Sequence, residues 1–222
     1  MGGAFQPSNL SLYAYVQHNP ATLLDLKGRE SIVIGDRIYL RPKDKSVPAV
    51  DLPNTVAAKG VKESDWSFHD YNVPTPSNLR GPSAMASLGE GFKSSPTPTV
   101  PGKNNRPATP QGTENDVGPL PTGTNENFVR SFTVPSPDPS NYTDIMVNYT
   151  IAGRHTVHEG FVIRFGEKSP DGTITLRSYG EGNAWRQAPV LSFFWGPVVR
   201  KVWEQNHEEI LRKIRDSSVP PR

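Results

Sequence analysis

Residues 145–151 read Ile145-Met-Val-Asn-Tyr-Thr-Ile151, and this run decides the fold class. β-Branched and aromatic residues dominate it, as they do in strands. Two more strand-like runs follow, Glu159–Phe165 and Thr173–Tyr179, with an Asp171-Gly172 turn between them. This spacing predicts an antiparallel meander. We expect the meander to end at Gly180, Gly182 and Asn183.

The C-terminal region predicts a helix that packs on this sheet. We expect it to begin at Pro197, because a proline at the first helical position loses no hydrogen bond. Apolar side chains then recur at helical spacing and form a broad stripe. The stripe consists of Val198, Val199, Val202, Trp203, Ile210, Leu211 and Ile214. The predicted fold class for residues 128–222 is α+β, a small antiparallel sheet with one long C-terminal helix.

Two further regions precede this domain. In residues 30–73, the apolar runs on either side of Gly35-Asp36 predict two short strands joined by a turn. An aromatic cluster follows, with Trp66, Phe68 and Tyr71. Residues 74–127 are rich in Pro, Gly, Ser, Thr and Asn and poor in apolar side chains. Chain entropy therefore favours a Pro/Gly-rich extended arm or linker there, with a short helical turn near Ser83–Leu88.

Composition excludes several classes of protein. The 222 residues carry a formal charge of only +2, so no polybasic surface is required. The absence of cysteine excludes a disulfide scaffold and a cysteine zinc site. No apolar run reaches the roughly 18 residues of a membrane span, and no signal peptide follows Met1. We therefore expect any export to depend on a carrier.

The densest polar cluster is Gly153-Arg-His-Thr-Val-His-Glu-Gly160. His155 and His158 are the groups that a metal-independent ribonuclease needs: one takes the proton of the ribose 2′-OH, and the other protonates the leaving 5′-oxygen. An ordinary histidine pKa of about 6.5 keeps both protonation states available. Arg154 or Arg164 is expected to hold the phosphate.

This cluster has two other interpretations. H-x-x-H-E differs from the zincin pattern H-E-x-x-H, whose histidines share one helical face. Strand residues three apart point to opposite faces, so we predict no metal and no cofactor. In the second interpretation, His155 and His158 only satisfy backbone groups at the start of a strand.

Two other runs are candidates for a site. In Tyr179-Gly-Glu-Gly-Asn-Ala-Trp185, a Gly-Glu-Gly turn exposes Glu181, which is predicted to assist as a general base. Tyr179 and Trp185 would stack a nucleobase; alternatively this is a surface turn with packed aromatics. His69-Asp70 either orients a distant site or contacts substrate; alternatively it belongs to a packed aromatic patch. His207 is expected to lie between solvated glutamates and to have no function.

The run Asn9-Leu-Ser-Leu-Tyr-Ala-Tyr-Val-Gln-His-Asn-Pro-Ala-Thr-Leu-Leu-Asp-Leu-Lys-Gly28 resembles the end of an Rhs (YD-repeat) core. In that family, N-L-Y-x-Y-V-x-N-N-P and a later D-P-x-G close the repeat shell. The resemblance covers residues 9–29, and Leu26 and Arg29 stand where the family usually has Pro and Leu. The matching residues are Asn9, Leu12, Tyr13, Tyr15, Val16, Asn19, Pro20, Asp25 and Gly28.

The resemblance implies that the residues after Gly28 are a toxin carried by an Rhs shell. It also implies delivery into the cytoplasm of a neighbouring cell and a cognate immunity protein in the producer. RNA is the first expected substrate. An ADP-ribosyltransferase is the alternative, with Arg130 or Arg154 toward NAD and Glu181 as the catalytic glutamate. A non-enzymatic interaction module is the third class.

Overall fold

The computed structural model describes residues 31–98, 105–118, 127–183 and 189–218. The Rhs-like segment at residues 9–29 lies outside these ranges. Within them, the chain forms nine strands and two helices. They are β1 (Ile32–Ile34), β2 (Arg37–Leu40), β3 (Val50–Pro53), β4 (His69–Arg80), α1 (Gly81–Ser94), β5 (Thr113–Asp116), β6 (Phe128–Val134), β7 (Ile145–Thr150), β8 (Gly160–Lys168), β9 (Thr173–Gly182) and α2 (Pro189–Ser218).

The strands form two antiparallel sheets. The small sheet has the order β1-β2-β3, and its first hairpin turns at the predicted Gly35-Asp36, where Gly35 takes a φ of +58° that glycine adopts without strain. The large sheet has six strands in the order β4-β9-β8-β7-β6-β5. Its β7-β8-β9 part is the predicted meander, and the α+β class is confirmed.

Side-chain alternation gives the large sheet two buried faces. One face packs against the small sheet, around Ile38, Leu40, Leu52, Phe132, Ile145, Tyr149, Phe165 and Tyr179. The opposite face packs against α1 and α2, around Leu88, Phe92, Met146, Leu176 and Ile210. The molecule is therefore three layers deep, with the large sheet in the middle.

The stretch expected to be an extended arm contains regular structure, which corrects that expectation. Residues 74–80 continue β4, and the predicted turn at Ser83–Leu88 is part of the full helix α1. β5 adds a further edge strand. Prolines 74 and 76 are tolerated because β4 is also an edge strand. Leu88 and Phe92 supply the buried contacts that the low apolar content appeared to lack.

Helix α2 differs from the prediction at its start. It begins at Pro189, which occupies the position that proline prefers, so Pro197 lies inside the helix. Of the predicted stripe, Trp203 and Ile210 are buried, whereas Val198 and Val202 are exposed. Within the described ranges, no helix is both long and apolar enough to cross a membrane.

Candidate functional site

One row of residues crosses four strands at one end of the large sheet, on the face that packs against the helices. His69 of β4 is opposite Gly182 of β9, and Gly182 is opposite Gly160 of β8. The Thr150 hydroxyl of β7 completes the row, 3.0 Å from both the amide and the carbonyl of Gly160. We call His69, Gly182, Gly160 and Thr150 the glycine row.

Gly182 leaves room for an imidazole ring, whereas Gly160 lets the backbone of β9 approach closely. A Cβ on Gly182 would lie 2.9 Å from Cε1 of His69, so the His69 ring lies across β9 where a side chain would otherwise stand. His158 approaches from the other side, with its Nδ1 3.0 Å from Oγ1 of Thr150. The His69 ring thus lies over β9 and His158 contacts β7, two strand spacings away, or roughly 10 Å.

Glu159 fixes the loop beside His158. Its Oε1 accepts the backbone amides of Lys59 and Gly60, each at 2.7 Å, and the Tyr149 hydroxyl at 2.5 Å. Its other oxygen is 4.0 Å from Nε2 of His158. The buried carboxylate thus sets the position of the Lys59 backbone next to this histidine.

On the His69 side, the Asn183 side chain fixes the backbone of Lys62. Its amide group donates to the carbonyl of Lys62 at 2.8 Å and accepts the Lys62 amide at 2.6 Å. Nδ1 of His69 lies 3.2 Å from the carbonyl oxygen of Ser67. The side chains of Lys59 and Lys62 are exposed, and the Lys62 charge lies near the Asp65 carboxylate. The sheet end therefore carries two histidines and two exposed ammonium groups.

The surroundings of His158 favour its neutral form. Burial lowers the pKa of His158 from its ordinary value, and the neighbouring Glu159 opposes this shift only in part. A neutral imidazole has a free lone pair, so His158 is suited to accept a proton near neutral pH.

His155 is organised differently from its predicted partner. Its Nδ1 accepts the amide of Val157 at 3.2 Å, which closes a turn within its own loop. Burial, with a smaller contribution from His158, lowers the pKa of His155 to about 4. This geometry matches the interpretation in which a histidine satisfies backbone groups. His69 and His158 are the two histidines that the glycine row brings to one end of the sheet.

The two arginines predicted to hold phosphate lie in ion-pair and core positions. Arg154 is 2.9 Å from Glu114, and its guanidinium lies 4.0 Å from the centre of the Phe128 ring. Arg130, named for the transferase alternative, is 3.6 Å from the same Glu114. These contacts hold the 154 loop on β5 and β6, on the side of the sheet away from His69.

Arg164 is fully buried beneath α2, away from the sheet end. Its guanidinium donates to the carbonyl oxygens of Ser95 and Pro96 at 3.0 and 2.9 Å, to Oγ of Ser178 at 3.2 Å, and to the Asn206 side chain. Burial lowers the pKa of Arg164 to about 9, so it keeps its charge at neutral pH. These contacts give Arg164 a structural position rather than a place at a substrate.

His207 is buried as well, which corrects its predicted place between solvated glutamates. Its two ring nitrogens are each 2.8 Å from a hydroxyl, that of Thr75 on β4 and that of Ser178 on β9. Burial, and secondarily Arg164, lowers the pKa of His207 to about 2, so the ring is neutral. It anchors α2 to the sheet.

Glu181 and Tyr179 point to the opposite face of the large sheet. Oε1 of Glu181 accepts the Lys43 amide at 2.6 Å and the Tyr179 hydroxyl at 2.7 Å, and burial raises the pKa of this carboxyl. The pair joins the small sheet to the large one and does not meet the histidines. Trp185 lies outside the described residues.

In the described ranges, no group of three or more histidine or carboxylate side chains is placed to hold a metal ion.

Comparison with known proteins does not name a family. No family model and no curated protein matches the chain. Among solved structures, it is similar to the crystal structure of Ara h 8.0201, with 13% identity and a TM-score of 0.39 over 65% of this chain and 99% of that one. A similarity this distant carries no functional argument.

Proposed function

We propose that this chain is the toxin region of an Rhs protein and that it cleaves RNA at the glycine row without a metal ion. The observation that carries the proposal is the placement of His69 and His158 on either side of Gly160 and Gly182. An acid and a base on opposite sides of a phosphate stand about 6–9 Å apart, because each must be within about 3 Å of the oxygen it serves. The row provides a spacing of that order.

The reaction follows from the two roles. Neutral His158 takes the proton of the ribose 2′-OH, and the resulting oxygen attacks phosphorus. The bond from phosphorus to the 5′-oxygen breaks, and protonated His69 gives its proton to that oxygen. The products are a 2′,3′-cyclic phosphate and a 5′-hydroxyl, and no other reactant is consumed. Lys59 and Lys62 stabilise the charge on the phosphoryl oxygens.

The biological setting of the proposal comes from residues 9–29. A toxin carried in an Rhs shell acts in the cytoplasm of the cell that receives it, and RNA is abundant there. The producing cell then requires an immunity protein that blocks the toxin. We expect a cell that makes the toxin to grow normally only when it also makes the immunity protein.

We expect the purified chain to cleave single-stranded RNA in excess EDTA and without NAD. The pH profile should be bell-shaped, because one histidine must be neutral and the other protonated. Its acidic limb should fall below the ordinary histidine range, since the pKa of His158 is lowered and the base is lost only when this ring takes a proton. Gel analysis of the RNA at several pH values measures the cleavage rate and its pH profile. Analysis of the product end groups identifies the 2′,3′-cyclic phosphate.

Other outcomes would contradict the proposal in distinct ways. Strict dependence on NAD would support the transferase alternative. Loss of cleavage in EDTA, restored by a divalent metal, would refute the metal-free mechanism. Intact RNA and NAD in cells that express the chain and grow normally would support a non-enzymatic module.

Gly182→Ala tests the shape of the row. The added Cβ would lie 2.9 Å from the His69 ring and 2.9 Å from the Glu159 carbonyl, so the ring must move. Misplacing a catalytic group is expected to slow cleavage by roughly 10- to 100-fold. Gly89→Ala in α1 is the control, because its nearest neighbours are at an ordinary 3.8 Å. Equal cleavage rates in the two folded variants would show that the His69 position is unimportant.

A further inference from the structure

Trp66 is the most exposed large apolar side chain among the described residues, with 75% of its surface accessible. A single exposed apolar residue has no functional meaning by itself. Trp66 differs from Val198 and Val202 in its position and in the loop that presents it. It stands three residues before His69, so its backbone is at most about 11 Å from that of the proposed acid.

The loop that presents Trp66 is held in place at both ends. Oδ1 of Asp65 accepts the amide and the hydroxyl of Ser67, at 2.9 and 2.7 Å. The buried Ser67 hydroxyl also lies 2.6 Å from the carbonyl oxygen of Asn183 at the end of β9. The Asn183 side chain hydrogen-bonds to both the backbone amide and the backbone carbonyl of Lys62.

These contacts fix the backbone on both sides of Trp66 while its ring stays in solvent. A ring on an ordered loop loses little conformational freedom when a ligand binds, so more of the contact free energy appears as affinity. The charges around the loop are mixed. Asp65 stays anionic, because the hydrogen bonds from Ser67 lower the pKa of its carboxyl, and Glu63 and Asp70 lie near the Lys43 ammonium.

We infer that Trp66 is a stacking platform for one base of a single-stranded RNA whose phosphate lies at the glycine row. The inference rests on the proposed function and names how the substrate is held there. An indole face stacks on any base, so the contact provides affinity without reading sequence. Lys62, fixed on the same loop, provides positive charge between the base and His69.

The experiment uses the full chain and a fluorescently labelled 2′-O-methyl RNA oligonucleotide, which has no free 2′-OH and is not cleaved. Trp66→Ala is expected to weaken its binding by about 5- to 150-fold, the range for one stacked base. Trp66→Phe keeps an aromatic face and should stay within about threefold of the wild type. Val198→Ala, at an apolar position on α2 that is 45% exposed, should bind as the wild type does.

Cleavage of a dinucleotide with abasic riboses separates the two proposals, because it keeps the 2′-OH and the phosphate but has no base to stack on Trp66. Trp66→Ala should cleave it at the wild-type rate while cleaving a longer RNA more slowly at low concentration. Equal binding by Trp66→Ala and wild type would overturn the stacking site and leave the nuclease intact. Failure of the wild type to bind the oligonucleotide would overturn the stacking site and point to a protein contact at Trp66. Failure of the wild type to cleave either RNA would refute the proposed function itself.

Discussion

Replacing His158 with Gln is expected to lower the rate of RNA cleavage by roughly 10²- to 10⁴-fold, the usual contribution of a general base. Glutamine keeps a polar group near Thr150 but has no basic lone pair at neutral pH. His69→Gln should cause a loss of similar size, because it removes the acid. The double variant should lose little more than either single one, since the two groups act in one step.

His155→Gln is the matched control for that experiment. It removes a histidine three residues away, and its loop hydrogen bond to Val157 is one that an amide oxygen can also accept. We expect its cleavage rate to stay within about tenfold of the wild type. Rates measured at several pH values, with the melting temperature of each variant, separate lost chemistry from lost folding. A large loss in His155→Gln with normal cleavage by His158→Gln would contradict the assignment of His158 as the base.

The outline of the fold is predictable because it depends on local patterns. Strand composition on both sides of Asp171-Gly172 defines β7 to β9, and the helical stripe defines α2. The low apolar content of the Pro-rich stretch predicts an extended arm, but a few apolar residues are enough to pack a helix on the sheet. Leu88 and Phe92 are two of these residues. Prolines 74 and 76 looked like breakers, but β4 forms an edge of the sheet, where a missing donor does not interrupt the ladder.

The sequence predicts residues of the candidate site but not how they are arranged, because the arrangement depends on strand pairing. The Gly-bounded run around His158 stands out in the sequence, and His69-Asp70 is a separate candidate. Their placement at one end of the sheet depends on the pairing of β4 with β9, two strands that are far apart in the chain. No local pattern encodes that pairing. The sequence predicts Gly180 and Gly182 as the end of a strand, whereas in the fold they admit the rings of Tyr71 and His69.

The buried polar core was missed for a related reason. Arg164 and His207 look like surface residues by type, because charged and polar side chains are rarely fully buried. Here Ser178 lies between them and bonds to both, at 3.2 Å from Nε of the arginine and 2.8 Å from Nε2 of the histidine. The burial follows from the docking of α2 over β9, which sequence periodicity does not place.

Arg164→Ala is expected to destabilise the protein by more than about 3 kcal/mol. The change removes the donor from the Ser95 carbonyl and from the Asn206 side-chain oxygen, and each loss costs about 1–3 kcal/mol. It also removes a guanidinium that packs 4.9 Å from the Phe92 ring and 5.0 Å from the Trp203 ring. Losses of this size come from broken buried networks rather than from surface changes.

Comparing Arg164→Ala with Arg154→Ala shows whether Arg164 is structural or binds substrate. Arg154 is 45% exposed and shares one ion pair, so its loss should cost no more than about 1 kcal/mol. Urea unfolding of both variants measures the two free energies on one scale. If Arg164 instead held phosphate, its alanine variant would unfold like the wild type and lose RNA affinity, which is the result that would contradict its place in the core. Because the guanidinium has neutral acceptors around it and no carboxylate ion pair among the described residues, we expect it to hold α1, α2 and the sheet together.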